Sequence, residues 1–153
     1  DVQADSWTAK QAMPTAREHL GSCAVSNRFL VAGGRTAAGN LATAELYNLE
    51  SDAWTALPNM PTARGGLAGA ALGHVCHLVG GELLSKAPPN TFSQNEGFDL
   101  GAGAWTVFMP MPTARHGLGV AAADGALFVL AGGETAGYSY SKHLEIFTPP
   151  DSD

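Results

Sequence analysis

The chain has 153 residues and a mass of 15.7 kDa, the size of one domain, and its 45% hydrophobic and 14% charged residues place it with globular rather than disordered sequences. A net charge of −6 and a pI near 5.2, with no basic stripe, exclude a general affinity for nucleic acid or an anionic membrane. No apolar run approaches the roughly 18 residues of a membrane span, and the opening "DVQADSW" has neither the basic start nor the apolar stretch of a leader, so a soluble chain is expected, with its compartment left open.

In chain order, the first element is "DSWTAK", a short segment carrying Trp7 that reads as a strand. "MPTAR" at 13–17 follows, then the small-residue run "LGSCAVS", the apolar run "FLVAGG" and the alternating "ELYNL". The cycle then starts again: "DAWTAL" with Trp54, "MPTAR" at 60–64, "LAGAALG", "HLVGG" and "EGFDL". It returns a third time as "GAWTVF" with Trp105, "MPTAR" at 111–115, "LGVAAAD", "FVLAGG" and "LEIFT". The Trp residues are spaced 54 − 7 = 47 and 105 − 54 = 51, and Arg17, Arg64 and Arg115 step by the same amounts. Gly pairs close the apolar runs at Gly33-Gly34, Gly80-Gly81 and Gly132-Gly133, with steps of 47 and 52. Self-similarity at a period near 50 residues marks a repeat architecture.

Each unit reads as four strands. Continuous apolar runs ended by Gly fit central strands buried on both faces. Runs of small residues before them suit backbones crowded at a narrow axis. The alternating segments fit half-buried strands, and the Trp segments supply a fourth. With 19 Gly and 9 Pro and no capped helical period, no helix is expected. The expected fold is all-β, one domain over 1–153, with repeats at about 7–53, 54–104 and 105–153.

Four-stranded units at this period are the sign of propeller blades. The Gly-Gly doublet, then an aromatic, then six residues and a Trp (Tyr47 to Trp54, Phe98 to Trp105), together with the "MP…R" after each Trp, resembles a kelch-repeat β-propeller protein of the galactose-oxidase-like superfamily, over essentially the whole chain. The resemblance speaks to fold far more than to function.

Trp7 has no aromatic seven residues before it, and Phe147 has no Trp seven residues after it. The strands therefore run fourth, first, second, third in each unit. Three blades are fewer than the four to eight that usually surround a channel, and an open arc would leave unpaired edges. The expectation is a head-to-tail homodimer of six blades, in which the Trp7 strand completes the blade ended by the partner's Phe147. The alternative is a segment of a longer chain.

In the resembling proteins "MPTAR" links one blade to the next. Its Arg is placed to bind carbonyls or the carboxylates of Glu45, Glu96 and Glu145, each two residues before an aromatic. Identical residues in every unit argue for scaffold, so Arg17, Arg64 and Arg115, the three Gly pairs and the three Trp are read as structural. Variation at matched positions points to a site. Glu18, His19 and His116 break the pattern after the Arg. Arg35, Lys86, Tyr138, Tyr140 and Lys142 lie in loops after the Gly pairs, where the resemblance places ligand grooves. Together these eight are the candidate ligand-binding residues, for a protein segment or a glycan.

Cys23 and Cys76 fall at different places in their units and are read as separate buried thiols. His74 and His77 lack a third metal ligand, with His77 expected to be buried and hydrogen-bonded. No metal or cofactor is expected, and no catalytic motif is found. The function expected is a binding or scaffold module without catalysis. The alternative is a small carbohydrate-active enzyme of epimerase or lyase type near the channel, using Glu18, His19, His116 and Arg35, residue types that sugar-modifying relatives of the superfamily employ.

Overall fold

The computed structural model describes residues 5–84 and 91–150. Among them there are thirteen strands and no helix. The first sheet is β1 (Gly21–Val25), β2 (Arg28–Ala32), β5 (Ala44–Asn48) and β6 (Ala53–Leu57), with β3 (Arg35–Thr36) and β4 (Gly39–Asn40) forming a separate small hairpin between β2 and β5. The second sheet repeats the order with β7 (Ala68–Leu72), β8 (Val75–Val79), β9 (Asn95–Asp99) and β10 (Ala104–Phe108). The third has β11 (Gly119–Ala123), β12 (Ala126–Leu130) and β13 (Leu144–Phe147). All pairings are antiparallel, and within each sheet the strands lie in chain order, so these are meanders of the kind that build blades. Tight turns make them: β11 and β12 are joined at Asp124 (φ 48°) and Gly125 (φ 74°), an Asp-Gly pair suited to two consecutive left-handed residues.

The Trp strand closes each complete sheet. Trp54 on β6 faces Tyr47 on β5 and Trp105 on β10 faces Phe98 on β9, with ring centroids 5.1 and 5.2 Å apart. Each indole N–H donates to the linker entering the same sheet, Trp54 to the Gln11 carbonyl (2.9 Å) and Trp105 to that of Pro58 (2.8 Å).

The core lies between sheets. One cluster joins Leu30, Ala32 and Ala44 of the first to Leu67, Leu78 and Phe98 of the second, and another joins Val79 to Leu118, Leu127 and Val129 of the third. The small-residue strands β1, β7 and β11 lie side by side. Their lack of bulk is what lets three backbones converge: a Cβ added at Gly69 would stand 2.7 Å from the Ser22 carbonyl oxygen.

Two sequence readings are corrected here. Cys23 on β1 and Cys76 on β8 are joined by a disulfide, their Cα atoms 6.0 Å apart. The offset between them within their units comes from the packing of one sheet's first strand against its neighbour's second. The third Gly pair is also displaced by one residue. Gly33, Gly80 and Ala131 share a left-handed backbone, with φ of 67°, 68° and 56°, and donate to the equivalent carbonyls of Thr43, Gln94 and His143. The structural doublet of the third unit is therefore Ala131-Gly132, and the steps become 80 − 33 = 47 and 131 − 80 = 51, matching those of the Trp residues.

Candidate functional site

The repeated Arg residues are buried inside the scaffold. The Arg17 side chain bonds the carbonyls of Gly33 (3.0 Å) and Thr43 (2.6 Å) and the carboxylate of Glu45 (2.6 Å). Arg64 bonds the carbonyls of Gly80 (2.7 Å) and Leu78 (3.0 Å) and the Glu96 carboxylate. Arg115 bonds Ala131 O (2.6 Å) and Glu145 (2.8 Å). All three Arg side chains are 0% exposed, and desolvation pulls the Arg64 guanidinium below its ordinary value against the opposing pull of Glu96. Every donor is directed at the fold. Such groups hold the linkers to the sheets and have nothing left to offer a ligand.

The loops after β2, β8 and β12 are tied together at Glu82. This residue is 3% exposed. Its carboxylate accepts from Arg35 Nη1 (2.8 Å) and from the backbone N–H of Gly137 (2.8 Å), and lies 3.4 Å from His116 Nδ1. Its own carbonyl accepts from the Asn40 amide (2.8 Å). Thr91 adds a second tie by donating to the Glu134 carbonyl (2.9 Å). Burial pushes the Glu82 carboxyl up, but the Gly137 N–H, Arg35 and His116 outweigh it and hold the group below the usual carboxylate range. An ionised, buried carboxylate with all its partners supplied is a fixed point, and three loops hang from it.

Of the eight candidate residues, the structure brings Glu18, Arg35 and His116 to this network. Arg35 Nε donates to Glu18 (2.9 Å); that hydrogen bond chiefly lowers the exposed Glu18 carboxyl, burial opposing it and the nearby His19 and the Arg35 charge adding to it. His19 sits beside Glu18 at 3.5 Å with its side chain half exposed. Tyr138 and Tyr140 stand out from the third loop, 98% and 83% exposed, with ring centroids 6.3 Å apart and nearly perpendicular. Lys142 is exposed near them in sequence, and Lys86 lies outside the described residues. Beside the network, Glu18, Arg35, Asn40, Leu83 and Leu84 line an open depression of about 410 Å³.

Glu82 itself, with Asn40 and Thr91, was not among the candidates. The signal was available: Arg35 and Glu82 occupy one position in adjacent units, 82 − 35 = 47 residues apart, and carry opposite charges. Like positions in neighbouring copies lie side by side, so opposite charges there form a bond between units. His74 and His77 do not form a metal pair. His77 is 2% exposed, bonded through Nδ1 to Asn95 (2.9 Å) and packed on Phe108 and Phe147 at 4.6 and 5.5 Å. Among the described residues no group of three metal-ligating side chains occurs.

Residues 16–61 match the family model described as Kelch motif. The matched stretch contains all four strands of the first sheet and part of the linker on either side. No curated protein matches the chain. The match marks residues 16–61 as a kelch motif, and the return of the same strand order in the second sheet is consistent with a kelch-repeat protein.

Proposed function

We propose that the chain is a binding module that presents the loops after β2, β8 and β12 to a protein segment or glycan, without chemistry of its own. The observation that carries this reading is the bond from Gly137 N–H to the Glu82 carboxylate. It fixes the base of a loop whose next residue, Tyr138, and its neighbour Tyr140 hold their rings in water. Large rigid aromatic groups on an anchored loop bind at low cost in conformational entropy.

The kelch motif supports an interaction role and leaves the ligand to be identified. The carbohydrate-active alternative draws less support. Glu82 is held ionised chiefly by the Gly137 N–H and the Arg35 guanidinium, and the two ring nitrogens of His116 face Glu82 (3.4 Å) and the Thr135 carbonyl (3.1 Å). Neither nitrogen is turned to a substrate, as a general acid or base requires.

Peptide and glycan arrays probed with the chain test the reading. Binding to a defined subset, weakened about tenfold or more in a Tyr138→Ala, Tyr140→Ala double variant, is the expected result, in line with the loss typical of an aromatic anchor. Binding unchanged in that variant, or chemical turnover of the captured compound, would contradict it.

A further inference from the structure

We infer that the loop between β12 and β13, residues 134–143, is fixed to the loop face by protons: it is held when His116 and His143 are charged, at about pH 6, and loosens as the pH rises toward about 8. The inference concerns regulation of the face proposed above to bind, and its meaning for binding rests on that reading; the fixing of the loop itself does not.

Three observations carry it. First, three of the five histidines lie on this face, and each stands beside a carboxylate: His19 Nδ1 3.5 Å from Glu18, His116 Nδ1 3.4 Å from Glu82 and His143 Nε2 2.9 Å from Glu134. His19 keeps its place at a cost, with a left-handed backbone (φ 52°) where the matched residues are Gly66 (70°) and Gly117 (58°). Second, both ring nitrogens of His116 face acceptors, Nδ1 the Glu82 carboxylate and Nε2 the Thr135 carbonyl at 3.1 Å. A neutral imidazole has one N–H and one lone pair. It satisfies one acceptor and turns its lone pair on the other, whereas the doubly protonated ring meets both. The ring lies against the Gly133 backbone, where even an added Cβ would stand 2.8 Å from Nε2. Third, the charges around Glu82 are one cation short. Glu18 and Glu82 share the Arg35 guanidinium, which leaves one negative charge, and a protonated His116 cancels it.

Both contacts act on one loop. Glu134 and His143 stand at its two ends, so their pair closes its neck. Within it the Ser139 hydroxyl donates to the Thr135 carbonyl (2.5 Å) and the Gly137 N–H to Glu82 (2.8 Å). A bond from His116 to the Thr135 carbonyl therefore holds the turn that presents Tyr138 and Tyr140. The other charged groups nearby do not cancel the effect. Arg35 reaches Glu82 from the loop after β2 and opposes a second cation, but its Nε and Nη1 are already bonded to Glu18 and Glu82. Lys142, beside His143 in sequence, is exposed, and Glu145 is held by Arg115. Glu18 and Glu82 both have lowered carboxyls, Glu18 chiefly through its hydrogen bond from Arg35 and Glu82 through its donors against burial. Histidine gains its charge between about pH 8 and 5, where those carboxylates stay ionised, so falling pH adds the cation without removing its partner.

Nuclear magnetic resonance of the whole chain tests this without a ligand, so its result stands apart from that of the arrays. Between about pH 8 and 5.5, the Gly137 and Tyr138 amide signals are expected to move with the same midpoint as the His116 ring proton. Hydrogen-exchange protection across 134–143, corrected for the intrinsic rate, is expected to be about tenfold greater at pH 6 than at pH 8, the scale of one charge-assisted hydrogen bond. His116→Gln is expected to remove most of that rise and His143→Gln part of it, with β7–β10 protected as before. The melting temperature is not the readout, because burial of His77 moves it in the opposite direction. Loop signals that do not follow the His116 titration, a rise undiminished in both variants, or protection that falls with falling pH would overturn the inference.

Discussion

At the scale of single residues, buried charge is tolerated in this chain only where the bonding is complete. Arg64 and Glu96 are both essentially inaccessible, and removing one leaves the other charged and unpaired. Arg64→Ala is expected to lower stability by about 3–5 kcal/mol in chemical denaturation. Arg64→Lys recovers little of it, because an ammonium cannot reach two carbonyls and a carboxylate at once. The pairing was legible in the sequence from the constant spacing of Arg and Glu. The surroundings of His77 were less so, because the neighbours that bury it come from β9, β10 and β13. Desolvation lowers the His77 imidazole below its ordinary value, against a smaller opposite effect of Asn95. The folded state therefore prefers the neutral ring and the unfolded state takes up protons first. Stability from this group is complete above about pH 6.5 and is lost as pH falls through the lowered folded value. The melting temperature is expected to drop between pH 7.5 and 5.5, and to drop less in His77→Gln. Ala131 carries a different cost, a left-handed backbone on a residue with a Cβ. Ala131→Gly is expected to raise stability by about 0.5–1 kcal/mol, the left-handed penalty exceeding the entropy cost of Gly.

At the scale of elements, strand order was legible because each strand class has its own composition: small residues in the first, apolar runs in the second, alternation in the third and Trp in the fourth. Pairing between sheets was not. Cys23 and Cys76 occupy unlike positions, and only the lateral packing of β1 against β8 brings them together. Their bridge closes a loop across 53 residues and fastens the first sheet to the second. By chain entropy alone its loss is worth about 4 kcal/mol. Cys23→Ala, Cys76→Ala is expected to lower the denaturation midpoint accordingly, with the slope reporting whether the first sheet then unfolds separately. The off-by-one third doublet has a similar origin. Gly133 is adjacent to the conserved geometry, and the letters alone favour pairing it with Gly132; hydrogen bonding to His143 shows that Ala131 holds the position.

At the scale of the whole molecule, the chain divides its labour between two surfaces. The repeated Arg residues face inward and hold the linkers to the sheets, while Glu18, Arg35 and His116, which differ between units, gather on the loop face around Glu82. That division was legible in outline, since variation at matched positions named Glu18, His19 and His116 and the loop after the first Gly pair named Arg35. The carboxylate that joins them was passed over because it does not stand out within its own unit. Glu82 has a lowered carboxyl, so its contribution is present above the ordinary carboxylate value of about 4.5 and is lost as pH falls through the folded one. Glu82→Gln is expected to raise hydrogen exchange in the loops after β2 and β12 while leaving β7–β10 protected.

The account holds that an inward scaffold carries a loop face fixed at Glu82, and hydrogen exchange of Glu82→Gln compared residue by residue with the unaltered chain tests it most directly. Faster exchange in the loops after β2 and β12, with β7–β10 unchanged, is the predicted result. Exchange unchanged in both loops, or raised throughout the second sheet, would contradict it.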